Sequence, residues 1–181
     1  MKKTLLIALL AAALPMSAMA SEKSYTFVEG GYVNVDGDAD GAYVRGNYQF
    51  GESGFYLTGQ FARVEVDNTN FDVNNYELGL GYRYTLSDRF DLIGEATRAR
   101  IDTDFGDANG YRASVGTRFD ITEKFEGLAQ LNHYNGQDFA ANNTGTVSAL
   151  YKIGPVWGIN GGVEFDNDDN QIYTLGVSAS F

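Results

Sequence analysis

The chain has 181 residues, with 24 acids against 13 bases, a formal charge of −11, 22 Gly, 12 Tyr, 12 Phe and no Cys. So acidic a chain is a poor ligand for nucleic-acid phosphates. The absence of Cys excludes a disulfide framework and a lipidated cysteine, and the length fits one domain.

Residues 1–20 read as a cleaved secretory signal. Lys2 and Lys3 form the basic start, Leu5 to Leu14 the apolar run, and Ala18-Met19-Ala20 the small-residue exit. The apolar run is too short to cross a bilayer as a helix. Residues 21–181 are then the single expected domain.

Period-two alternation of apolar and polar residues fills that domain, broken by turn signals. Ten strands are predicted, over 24–35, 41–50, 55–66, 75–86, 90–101, 110–119, 125–134, 144–153, 157–165 and 171–181. The fourth shows the pattern plainly: Tyr76, Leu78, Leu80, Tyr82, Tyr84 and Leu86 share one face, and Glu77, Gly79, Gly81, Arg83 and Thr85 share the other. Segments of about ten residues with this alternation are the signature of a transmembrane β-barrel. The fold class is therefore all-β: a closed antiparallel up-and-down barrel of 10 strands. An 8-stranded barrel would discard two well-patterned strands.

The connections alternate between tight turns (51–54, 87–89, 120–124 and 154–156) and mostly longer polar loops. Short turns belong at the periplasmic rim and longer loops outside. Aromatics fall at both ends of the apolar faces. Phe50, Phe55, Tyr84, Phe90, Phe119, Phe125, Tyr151, Trp157 and Phe181 fall at the periplasmic end, and Tyr32, Phe61, Tyr76, Tyr111, Phe165 and Tyr173 at the outer end. Two such bands match interfacial girdles. A soluble β-sandwich has no reason to place aromatics at both ends of nearly every strand.

Most of the strand charge falls on the opposite faces, where it must point into the lumen. An Arg or Lys at the hydrocarbon midplane costs about 2–4 kcal/mol. Hairpin geometry predicts a network of Arg83, Asp91, Glu95, Arg118, Glu126 and Lys152. Glu126 lies across from Arg118 and near Lys152, and Arg83 lies diagonal to Asp91 or Glu95. Two readings stay open: a barrel plugged by its own ion pairs, or a narrow polar pore.

The outer loops as predicted hold twelve Asp and no Lys or Arg. The first reads D-x-D-x-D-G, and Asp36, Asp38 and Asp40 form a weak candidate Ca²⁺ set. The twelfth position of an EF-hand loop would be Asn47, which lies in a strand, so a solvated acidic loop is the plainer reading. No other cofactor is expected. His133 is the single His, and it has no Asp-x-His pair or G-x-S-x-G motif beside it, so no enzyme is expected. The last strand puts Tyr173, Leu175, Val177 and the terminal Phe181 on one face, the pattern that outer-membrane assembly machinery reads. Phe71, Phe105 and Phe139 are the apolar residues that stand out in the loops.

The segments SYTFVEGGYV with DGDADG, NYELGLGYRY and WGINGGVEF resemble a family of small outer-membrane barrels regulated by diffusible signal factor in xanthomonad-type bacteria. The chain is more generally similar to OmpA/OmpX-type small barrels. The resemblance implies a bacterial outer-membrane protein linked to quorum-regulated motility or biofilm, and it implies no catalytic residue. The expected function is a structural or surface-interaction barrel with a salt-bridge-filled lumen and acidic outer loops. The alternative is a narrow pore for ions or small solutes. Expected partners are outer-membrane lipid, lipopolysaccharide and the assembly machinery, with no nucleic acid and a monomeric state.

Overall fold

The computed structural model describes residues 23–181 apart from 37, 68, 70, 138–140 and 168–169. The expected signal segment therefore lies outside the described residues, as do Asp138, Phe139, Asp168 and Asp169. Ten antiparallel strands close into one barrel: β1 (Phe27–Val35), β2 (Ala39–Gln49), β3 (Phe55–Val66), β4 (Asp72–Ser87), β5 (Phe90–Thr103), β6 (Gly106–Asp120), β7 (Phe125–Gly136), β8 (Asn142–Lys152), β9 (Trp157–Asp166) and β10 (Gln171–Ser180). Each strand pairs with its sequence neighbours, and β10 closes on β1 from Phe27↔Ser180 to Val35↔Ile172. Closure leaves no open edge, so the backbone groups of every strand find partners within the sheet.

The alternation sorts side chains between lipid and lumen. Leu78, Leu131 and Leu175 are 62%, 68% and 60% exposed on the outer wall, which a soluble fold would bury. The girdle residues lie on the same wall, where Phe55 packs on Tyr82, Phe61 on Tyr76, and Phe90 on Phe119. Inward residues such as Glu29, Glu77, Asp91 and Glu126 are buried. A wall of exposed apolar residues around a polar, buried interior is the inverse of a soluble protein and fits a hydrocarbon surround.

Several strand boundaries differ from the sequence expectation. β1 starts at Phe27 instead of residue 24, because Lys23 to Tyr25 leave the wall and enter the lumen. β4, β5 and β6 are 16, 14 and 15 residues long, more than the roughly 9–11 that a tilted strand needs to span a bilayer. The segment expected to be a loop over 102–109 mostly continues the hairpin, pairing Asp102 with Asp107 and Thr103 with Gly106. Gly106 takes φ 145° at the tight turn, a conformation that disfavours a side chain. Phe105 at this turn stacks on Phe71 of the neighbouring loop at 5.3 Å between ring centroids, which ties the two outer connections together.

One close approach shapes the interior. Tyr56 is fully buried, and its ring lies over Gly81 of β4 on the way to β5. A Cβ at position 81 would sit 2.2 Å from the ring. Gly81→Ala should therefore lower stability by about 1–3 kcal/mol, the usual range for overpacking. Gly161→Ala serves as the control, because its Cβ would meet nothing nearer than 3.8 Å. Urea unfolding in micelles compares the two. Equal midpoints would show that the Tyr56 ring moves aside freely.

Candidate pore lumen

Two cavities lie inside and at the end of the barrel among the described residues. The inner one, about 160 Å³, is lined by inward residues of all ten strands. Five carboxylates (Glu29, Glu77, Glu95, Glu126 and Glu164) and three guanidiniums (Arg45, Arg112 and Arg118) face it. The second, about 530 Å³, is a vestibule at the periplasmic end, lined by residues such as Asp120, Lys124, Lys152, Trp157 and Phe181. Arg118, Leu150 and Ser180 line both, so these three residues stand between the two spaces.

Arg112 organises the inner cavity. Its Nε donates to Glu77 at 2.8 Å, and its Nη1 donates to Glu95 at 3.1 Å and to Ser114 at 2.6 Å. Glu95 also accepts from Tyr56 Oη at 3.0 Å and from Gln130 Nε2 at 3.2 Å. One fork-shaped cation thus holds two carboxylates from two strands, and the neighbouring donors satisfy further oxygens. Opposite, Glu29 accepts from Tyr43 Oη at 2.5 Å and pairs with Arg45 at 3.0 Å. Arg112 and Glu77 were legible as inward charges, but cross-lumen partners on non-adjacent strands carry no signal in local hairpin geometry.

The periplasmic end is narrowed by residues just before β1. Lys23 Nζ lies 3.8 Å from Asp91 and 3.4 Å from Asp120, and it donates to the Asp88 carbonyl at 3.1 Å. Tyr25 is almost fully buried, donates to Asp91 Oδ2 at 3.0 Å and packs on Tyr56. The guanidiniums of Arg83 and Arg118 lie over the Tyr25 ring at 5.0 and 4.7 Å. Such cation–π contacts are worth about 0.5–2 kcal/mol, more as they are desolvated. Arg118 also donates to the Ser24 carbonyl at 2.7 Å.

The six network residues divide. Arg118 pairs with Glu126, and Lys152 lies 3.3 Å from Glu126 and 3.6 Å from Asp120. The register differs in detail: Arg118 stands directly opposite Leu128, and Glu126 opposite Asp120, so the ion pair is diagonal. Arg83 departs from the expectation. It stands opposite Ile93, with Asp91 and Glu95 two residues to either side, yet those carboxylates are taken by Lys23, Tyr25 and Arg112, and Arg83 lies over Tyr25.

The outer rim also departs from its expectation. Asp36 takes φ 52°, and its Oδ1 accepts the Gln171 amide at 2.6 Å. Asp40 lies within β2, opposite Asn34 and Glu65. Among the described residues no group of three or more His, Asp or Glu side chains is gathered to hold a metal ion. The strand extensions take Asp72 and Asp102 into the sheet, where Arg63 pairs with Asp72, and Arg100 with Asp102 at 2.7 Å. His133 Nδ1 lies 2.8 Å from Asn143 Oδ1. Tyr173, Leu175 and Val177 face outward, and the Phe181 amide donates to Thr26 beside the closing seam.

Glu126→Ala would leave Arg118 and Lys152 without their shared carboxylate. Breaking a buried pair costs roughly 3–5 kcal/mol in a dry interior, and lumen water offsets part of that. The expected loss is about 2 kcal/mol, read as a lower urea midpoint for the folded barrel in micelles. An unchanged midpoint would show that the pair carries no net stability.

No protein-family model and no curated protein matches the sequence. Solved structures do resemble it. A KdgM porin in complex with disordered oligogalacturonate aligns at TM-score 0.55 and 15% identity, over 86% of this chain and 99% of that one. A NanC porin aligns at TM-score 0.57 and 13% identity, over 86% of this chain and 100% of that one. The chain therefore has the fold of the small outer-membrane porin barrels. These relatives lend no support to the diffusible-signal-factor family or to a role in motility or biofilm.

Proposed function

We propose that this chain is a narrow pore of the bacterial outer membrane for ions and small polar solutes. The observation that carries this reading is open space inside the barrel lined by charged and amide side chains, with a second cavity on the far side of Arg118, Leu150 and Ser180. A lumen meant only to be filled would put apolar side chains there, because a well-packed apolar core is at least as stabilising as buried ion pairs. Charged and amide side chains around open space instead keep water in the barrel. The porin likeness of the fold agrees. Lys23 and Tyr25 then act as a constriction, held by Asp91, Arg83 and Arg118.

A second reading concerns the outer wall. Arg98 is exposed on the lipid-facing side of β5, between Leu78 and Tyr111, and makes no ion pair among the described residues. A cation at that girdle fits a phosphate of lipopolysaccharide, and its aliphatic stem can lie along the apolar wall. This contact would coexist with a pore.

Refolded protein in planar bilayers should give discrete current steps. Tyr25→Ala removes the ring between Arg83 and Arg118 and should enlarge the step about twofold or more by widening the constriction at the start of the chain's lumen segment. Absence of steps in both proteins would refute the pore.

A further inference from the structure

Resting on the pore reading, we infer that the inner cavity selects cations, with Glu164 as the specificity-determining residue. The carboxylates facing this cavity are not equally compensated. Glu29 has Arg45, Glu126 has Arg118 and Lys152, and Glu77 and Glu95 share Arg112. Glu164 has no cation among the described residues. It is held by three hydroxyls instead: Thr144 at 2.7 Å, and Tyr134 and Thr146 at 3.3 Å each. The cavity thus carries five carboxylates against three guanidiniums.

The hydrogen-bond directions add a second oxygen to this wall. Thr144 and Thr146 each give their single hydroxyl proton to Glu164, so each can only accept from Asn132. The Asn132 amide nitrogen donates to both, at 3.0 and 2.9 Å. Its Oδ1 is thereby left as an acceptor. Asn132 is 4% exposed and this oxygen has no partner, and Asn160 Oδ1, in a residue lining the same cavity, is likewise buried and unpartnered. A carboxylate without a cation and two amide oxygens without donors form a surface that lacks a positive, proton-donating or oxygen-seeking occupant. Small hydrated alkali cations and primary ammonium ions have that chemistry. A cavity lined by one excess sign concentrates counter-ions and repels co-ions.

The test is the reversal potential of the refolded wild-type protein across a tenfold KCl gradient. The wild type should prefer K⁺ over Cl⁻ by roughly threefold or more. Raising the mean salt to about 1 M, where the screening length falls to ~3 Å, should reduce that preference. Glu164→Gln should bring the ratio near unity while keeping the shape of the wall. Asn132→Asp adds a carboxylate beside Glu164 and should raise the ratio, which gives a second readout if Glu164→Gln folds poorly. Conduction that favours Cl⁻, or a ratio unmoved by both variants, would overturn cation selection and leave the pore standing. Absence of conduction in every variant would overturn the pore and the selectivity together.

Discussion

Hydrocarbon offers no partner to a backbone N–H or C=O, and the rest of the structure follows from that constraint. A chain that crosses a bilayer with strands must pair every one of them, and a sheet does so only by closing on itself. Closure of β10 on β1 fixes the barrel and gives it two unlike surfaces. Because strand side chains alternate, each residue is assigned to lipid or lumen by parity alone. The outer wall then needs Leu, Val, Ala and aromatics. The inner wall is free to hold charge, and it does.

Charge inside a barrel must be balanced within reach of itself or of water. The network meets this by pairing across the lumen as well as along hairpins. Arg112 gathers two carboxylates, and Arg118 joins Glu126 to the segment before β1. The balance is uneven along the axis. Apart from Arg118, which both spaces share, the vestibule lining balances Arg89, Lys124 and Lys152 against Asp88, Asp120 and Glu123, whereas the inner cavity has excess carboxylate. The charge that supports the barrel is therefore also the charge that a solute would meet.

Parity made the fold legible in the sequence. The ten strands, their order and the inward charges follow from a period of two and from the turns between them. Glu126 was placed near Arg118 and Lys152 because a tight hairpin couples residues close in sequence. The segment from Lys23 to Tyr25 was not legible, since SYTFVEGGY alternates well enough to continue a strand, and only the lumen provides Asp91, Arg83 and Arg118 to draw Tyr25 inward. The same residues displaced the expected Arg83 partners. The first loop is also shorter than its Asp spacing suggests, because β2 begins early enough to take Asp40 into the sheet. Short-range pattern thus reports strand register well and reports cross-lumen contacts poorly.

A pore requires a water-filled path between the inner cavity and the periplasmic vestibule. The chain has no Cys, so single cysteines report without background. Asn160 faces the inner cavity, whereas its neighbour Ile159 is exposed on the outer wall. The decisive measurement is the rate at which a small, charged, water-borne thiol reagent modifies Asn160→Cys and Ile159→Cys in reconstituted barrels, with the reagent on the periplasmic side. The account predicts fast modification at 160, slowed by Glu126→Ala only if the path collapses, and negligible modification at 159. An unreactive cysteine at 160 in a folded barrel would contradict it.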